Sequence, residues 1–225
     1  MPTGQRKFAR EDGRYADFLD TNTGALQAPG TAFIGSSNLA APSDHIHPLA
    51  SGGLTLIASK VNAAPATTIT FSSIPQTFSV LRLLAFGASA YAIESDRWYL
   101  TVGPTTGYDL QEVAGSSSSA VAAAKSNQGG WNVNNSPTGD IPGASATAGV
   151  AGILDVTIPG YALTTFQKVG TWRSGYSDAL TAAGDQQIHD AVISVRSTAA
   201  ITSMQISLVS AGNLITGSAA YLYGS

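Results

Sequence analysis

Two histidines separated by one residue are the clearest candidates for metal chemistry in this sequence. His45 and His47 lie in the pentad Asp44-His45-Ile46-His47-Pro48. Alternate residues of an extended strand point to the same side, so both imidazoles would face one direction. Three such strands around a threefold axis would offer six nitrogens to one octahedral ion, and imidazole suits iron, nickel, zinc or copper. The alternative is a plain linker in which Asp44 caps a turn before Pro48.

Two clusters of aromatic and polar residues are candidates for binding a glycan. An indole face can stack on a sugar ring while neighbouring amides and carboxylates bind its hydroxyl groups. The alternative is that the indoles are buried at strand ends or at a subunit interface, where aromatic residues are enriched. The candidate residues are Trp131, Asn132 and Asn134 in the first cluster and Trp172, Tyr176 and Asp178 in the second.

Motifs that would indicate an enzyme are missing from the sequence. There is no Gly-x-Ser-x-Gly elbow, no phosphate-binding Walker loop and no His-Glu-x-x-His zinc motif. Glu94 and Asp96 are close enough in sequence to imitate a glycosidase pair, but strand residues two apart also commonly face solvent together. His189 and Asp190 have no obvious serine partner. We therefore predict that the protein is not an enzyme, with a glycan-processing enzyme as a remote alternative.

The distribution of charge divides the chain into two parts. Charged residues make up 11% of the 225 residues, against roughly 25% in an ordinary soluble domain. Eight of the 25 charged side chains lie in residues 1–20. The net charge of −3 argues against a nucleic-acid partner, because no basic stripe is available to neutralise phosphates. No stretch approaches the roughly 20 apolar residues of a membrane span, so membrane insertion is not expected.

The residue pattern predicts an N-terminal attachment arm and linker over residues 1–52 and a β domain over residues 53–225. Residues 5–20 would form a short helix, and the Gly/Pro-rich residues 21–52 an extended connector. From residue 54 onward, apolar residues alternate with period two, as in Trp98, Leu100 and Val102. Residues 114–130 and 132–149 would form long loops, with one helical turn at residues 120–125. Eight or more short strands and no convincing long helix predict an all-β, antiparallel β-sandwich, jelly-roll-like, with an extended N-terminal arm.

Residues 54–225 resemble the C-terminal β-module of tailed-bacteriophage tail fibre, minor tail and virion fibre proteins. The order and spacing of several segments carry this resemblance, and the pentad at residues 44–48 is similar to the Asp-His-x-His-Pro element that precedes such modules. The segments are ITFSSIPQTF at 69–78, LRL at 81–83, GYD at 107–109, IPGY at 158–161, FQK at 166–168, STAAITS at 197–203 and GSAAYLYG at 217–224.

The resemblance implies a β-rich homotrimer that is assembled in the host cytoplasm and exposed on the surface of the virion, where it often faces the host. Its partners would be two further copies of itself, other virion proteins of the tail or capsid, and a host cell-surface glycan. It also favours the transition-metal ion at His45 and His47 of three chains, because related fibres hold such ions on their axis. The alternative is a capsid decoration or head fibre protein that clamps the shell without binding a receptor. The residues expected to anchor the arm in the virion are Arg6, Lys7, Phe8, Arg10, Arg14, Tyr15 and Phe18.

Overall fold

The computed structural model describes most of the chain from residue 53 onward and two short pieces before it. The described residues are 53–103, 106–116, 120–132, 140–178 and 186–225, together with the backbone of 7–9 and 15–17. The chain divides into two compact units, Met1–Gly53 and Leu54–Ser225.

The described part of the N-terminal unit is a pair of short strands. β1 (Lys7–Ala9) pairs antiparallel with β2 (Tyr15–Asp17), with Phe8 opposite Ala16. The helix predicted over residues 5–20 is therefore wrong at these positions. A single helix of that length is marginal in water, whereas aromatic residues such as Phe8 and Tyr15 favour strands.

Thirteen further strands are present in the described residues of the second unit, and all their pairings are antiparallel. They are β3 (Thr55–Val61), β4 (Ile69–Phe71), β5 (Val80–Gly87), β6 (Ser95–Asp96), β7 (Trp98–Thr101), β8 (Tyr108–Ser116), β9 (Ala120–Gln128), β10 (Ile141–Pro142), β11 (Gly152–Pro159), β12 (Lys168–Ser177), β13 (Gln186–Val195), β14 (Met204–Leu208) and β15 (Ala219–Gly224). One sheet has eight strands in the order β3-β15-β5-β11-β12-β13-β8-β9. A second has the order β4-β14-β7, and β10 pairs with β6.

The two larger sheets share one hydrophobic core. Along the inner strands of these sheets, alternate residues point inward, as the period-two pattern requires. Trp98 and Leu100 of β7 and Ile206 of β14 pack in the same cluster as Leu83 of β5 and Val156 of β11. The described residues contain no α-helix. The predicted all-β antiparallel sandwich is thus confirmed.

The long loop predicted over residues 114–130 is wrong. Residues 114–116 end β8, and residues 120–128 form β9 at the edge of the large sheet. The helical turn predicted at residues 120–125 is wrong for the same reason. An edge strand that is exposed on both faces needs no alternation of apolar residues, and its alanines favour a helix when taken alone. Hydrogen bonding to β8 overrides that local preference.

Candidate functional site

The two tryptophans proposed as glycan platforms are buried in the core. Trp131 and Trp172 are each only 1% exposed. The indole N–H of Trp131 donates to the carbonyl oxygen of Ser194 at 2.8 Å, and its ring meets Tyr108 edge-on with centroids 5.0 Å apart. The indole N–H of Trp172 donates to the hydroxyl of Ser174 at 2.7 Å. No sugar ring can stack on either indole in this conformation, so the prediction that Trp131 and Trp172 bind a glycan is wrong. The alternative prediction, that the two indoles are buried, agrees with the structure.

The polar residues predicted to accompany these indoles have contacts within the protein. Tyr176 and Asp178 are buried, and a carboxylate oxygen of Asp178 accepts the backbone N–H of Thr147 at 2.7 Å. The side-chain oxygen of Asn132 accepts the ammonium of Lys125 at 2.6 Å. These contacts connect Asp178 and Asn132 to neighbouring parts of the protein. Asn134 lies outside the described residues.

The predicted metal and anchoring residues are mostly outside the described part of the chain. His45 and His47 lie there, as do Arg6, Arg10, Arg14 and Phe18. Lys7 and Phe8 belong to β1 and Tyr15 to β2. Within the described ranges, no group of three or more His, Cys, Asp or Glu residues is arranged to hold a metal ion.

Glu94 and Asp96 do not form an open pair of carboxylates. Asp96 is buried and accepts the hydroxyl of Ser89 at 2.7 Å, the hydroxyl of Ser210, and its neighbouring backbone N–H from Arg97 at 2.8 Å. The carboxylate therefore joins the β6 region to the turn after β14. A glycosidase acid would instead face a substrate cleft.

A second buried carboxylate, that of Asp140, connects the two sides of the sandwich. One oxygen accepts the backbone N–H of Trp98 in β7 at 2.9 Å, and the other accepts the hydroxyl of Ser174 in β12. Trp172 donates to the same hydroxyl, so indole, serine and carboxylate form a chain of hydrogen bonds. Burial away from water raises the pKa of Asp140 to about 7, although the two hydrogen bonds oppose that shift. The sequence carried no signal for this residue, which stands beside a Gly/Pro-rich stretch.

Further ionisable groups lie on the inward face of the same end of the large sheet. Glu112 of β8 and His189 of β13 have fully buried side chains, with Nδ1 of the imidazole 3.9 Å from a carboxylate oxygen. Ser174 is the cross-strand partner of His189, which supplies the serine neighbour that the sequence did not reveal. Its hydroxyl is engaged with Asp140, and these side chains are at most 1% exposed. A substrate has no access to them in this conformation.

The outer face of the large sheet carries a shallow groove of about 580 Å³ across β11, β12, β13 and β8. The charged side chains that point outward at this groove are held in Arg–Asp pairs. Arg173 binds Asp190 through two hydrogen bonds of 2.7 and 3.1 Å. Two further Arg–Asp pairs of the same two-bonded kind, Arg82–Asp155 and Arg196–Asp109, lie on this face and at its border. Between them are half-exposed apolar side chains: Val113, Ile153, Val169, Ile188 and Val192.

A separate cleft of about 320 Å³ lies where the end of β5 meets two loops. It is lined by residues 86–89, 143–151 and 215–218, none of which is charged. Phe86 is 42% exposed at its border and stacks on Tyr221, with ring centroids 6.3 Å apart and planes 22° apart. The cleft is thus lined by small residues and bordered by a partly exposed aromatic ring. This cleft has no signature in the sequence, because its three segments are far apart in the chain.

Comparison of the chain with protein-family models, with curated proteins and with solved structures gives no match. In the part of the chain that the structure describes, no helix is long and apolar enough to cross a membrane.

Proposed function

We propose that this chain is a structural protein of a tailed-bacteriophage virion, of the tail fibre or minor tail type. Residues 1–52 attach it to the particle, and three copies display the β-sandwich toward the host surface. The resemblance over residues 54–225 supports this proposal, together with the low content of charged residues. The role requires rigid display and repeated contact, and no catalytic step.

The outer face of the large sheet is the structural observation that carries the proposal. Half-exposed apolar residues such as Val113 and Val192 lie beside arginines whose charges Asp residues already neutralise. Exposed apolar patches commonly mark sites of protein association. Because each arginine already has its carboxylate, another copy can cover this half of the sheet without leaving an unpaired charge buried. That property favours assembly of identical chains.

Trimeric display would make weak host contacts effective. Once one copy has bound, the other sites of the same particle act at a raised effective concentration, so avidity exceeds the affinity of a single site. A sandwich with a continuous core is a suitable carrier, since its surface loops keep fixed positions relative to one another.

The trimer is tested by measuring the mass of the full-length protein in solution by light scattering. We expect the mass of three chains. Val192→Lys, on the outer face, should reduce it to one chain, because the added charge would have no partner in a covered interface. Val209→Lys, at another exposed valine in the turn after β14, is the control and should leave the trimer intact. A wild-type protein with the mass of one chain would contradict the trimer.

The place in the virion is tested by labelling the protein in intact particles. We expect the label on the tail; a label on the head would favour the capsid decoration alternative, and no label would refute a virion role. Deletion of residues 1–20 should leave a folded β-sandwich that no longer enters particles. Incorporation of the truncated protein would show that the arm is not the anchor.

A further inference from the structure

We propose that Lys125 and Asn132 form an intramolecular isopeptide bond, and that the buried carboxylate of Glu112 transfers the proton. The bond joins the Nζ of Lys125, in β9, to the side-chain carbonyl carbon (Cγ) of Asn132, which is seven residues further along the chain. One molecule of ammonia leaves. The reaction needs no partner, because all three side chains belong to one chain.

The amine and the carboxamide are already in contact. The Nζ of Lys125 lies 2.6 Å from Oδ1 of Asn132 and 3.3 Å from the backbone carbonyl oxygen of the same residue. The carbon that the amine attacks is one bond away from Oδ1. Two groups held next to each other in this way react far faster than the same groups free in solution.

Lys125 and Asn132 are held in position by different sheets. Lys125 lies opposite Leu110 of β8 in the large sheet. Asn132 directly follows Trp131, which is 1% exposed and exchanges two backbone hydrogen bonds of 2.9 Å with Leu100 of β7, in the smaller sheet. An isopeptide bond between them therefore ties the edge strand of the large sheet to a segment that is bound to the smaller sheet.

The surroundings of Lys125 favour the uncharged amine, which is the form that attacks. Partial removal from water lowers the pKa of Lys125, the nearby Glu112 opposes this shift, and the positive charge of Arg97 adds to it. Desolvation and a neighbouring cation are the two usual means by which a protein makes a lysine nucleophilic.

Glu112 lies on the same face of the sheet as Lys125. Glu112 is opposite Ala123, and Lys125 is two residues further along β9 from Ala123. Side chains related in this diagonal way are about 7–8 Å apart at the backbone, which long side chains can span. The side chain of Glu112 is fully buried, so its carboxylate acts on a neighbouring group without competition from bulk water.

The reaction balances without an oxidant or a cofactor. The lone pair of Nζ forms a bond to Cγ of Asn132 while the carboxylate of Glu112 accepts one proton from Nζ. Glu112 then gives this proton to Nδ2, the bond between Cγ and Nδ2 breaks, and ammonia leaves. Lys125 and Asn132 are both partly exposed, so the ammonia has a route to water.

The test is the mass of the denatured full-length protein, measured after overnight incubation at neutral pH. We expect the mass of the sequence minus one ammonia molecule. Trypsin does not cut after a lysine whose Nζ is acylated, and Arg97, Lys125 and Lys168 are successive tryptic sites. Digestion should therefore give one peptide of residues 98–168, which also lacks one ammonia.

Variants identify the residues that react. Lys125→Arg keeps the positive charge but removes the attacking amine, and Asn132→Ala removes the carboxamide, so both should have the full mass of their sequences. Glu112→Gln should also have its full mass. The matched controls Lys60→Arg and Asn213→Ala, at exposed positions outside this contact, should still lack one ammonia.

A wild-type protein with its full sequence mass would overturn the isopeptide bond and leave only a hydrogen bond between the two side chains. Loss of ammonia together with tryptic cutting after Lys125 would also overturn it, because an asparagine that cyclises onto its own backbone gives that result. Loss that persists in Lys125→Arg or Asn132→Ala would do the same. Loss that persists in Glu112→Gln would overturn the role of Glu112.

Discussion

Replacing Asp140 by Asn should remove a pH dependence of stability that this carboxyl group creates. The side chain is completely buried and accepts hydrogen bonds from Trp98 and Ser174. Asparagine has the same shape; its oxygen can accept the N–H of Trp98, and its amide can donate to the hydroxyl oxygen of Ser174. The substitution therefore removes ionisation while keeping the connection between the two sides of the sandwich.

The magnitude follows from the pKa. Burial raises the pKa of Asp140 from 3.8 to about 7, with the nearby Glu112 acting in the same direction. Between these values the folded protein holds a proton that the unfolded chain has lost, so the free energy of unfolding falls as pH rises. At about 1.4 kcal/mol per unit, the loss reaches about 4 kcal/mol at most, and it is complete once the pH exceeds the folded pKa.

Urea unfolding of the wild type and of Asp140→Asn at a series of pH values measures this effect. Other groups titrate in both proteins, so the useful quantity is the wild-type free energy of unfolding minus that of the variant. We expect it to fall by about 3 kcal/mol between about pH 4.5 and about pH 8. Glu94→Gln, at an exposed carboxylate outside the large sheet, is the control and should change little. A difference that stays constant across this range would refute the raised pKa.

Three further predictions concern the backbone, a buried cation and the metal. Gly175→Ala should lower the free energy of unfolding by more than about 2 kcal/mol, because the φ of Gly175 is +154° and a Cβ there would lie 2.1 Å from a carbonyl oxygen of β13. Gly149→Ala, at φ +89° with no atom near the added Cβ, should lower it by about 1 kcal/mol. Equal losses in the two variants would contradict the steric explanation. Lys168→Met should lower the free energy of unfolding, measured in urea, by about 2 kcal/mol, because the Lys168 ammonium donates to three backbone carbonyls. An unchanged urea midpoint would show that water can take the place of the ammonium. Elemental analysis of the purified trimer should find one transition-metal ion per three chains, lost on His45→Ala/His47→Ala; a lower content would end the metal hypothesis.

The fold class was predictable from the sequence wherever a strand buries one face. Trp98, Leu100 and Val102 alternate in the sequence, and all three point into the core. The edge strand β9 was not predictable, because its alanines and Lys125 carry no period of two. β9 is a strand because its backbone pairs with β8, although its own residues show no strand pattern.

The candidate sites were less predictable than the fold. Trp131 and Trp172 have the composition of a sugar platform, but neighbouring strands enclose both indoles. Phe86 reads in sequence as one more apolar residue of a strand, yet it is the ring that remains exposed beside a cleft. The exposure of an aromatic ring depends on which other segments pack over it, and the sequence around the ring does not contain that information.

The residue pattern is enough to specify an antiparallel β-sandwich with few charges, because a strand that buries one face must alternate its residues. Which polar groups are enclosed and which surfaces remain open depends on how the sheets pack together. The cleft at the end of β5 joins segments near residues 87, 147 and 217, and the environment of Asp140 depends on strands β7 and β12. Burial and pKa are properties of such long-range contacts, and they arise only when the sheets have packed.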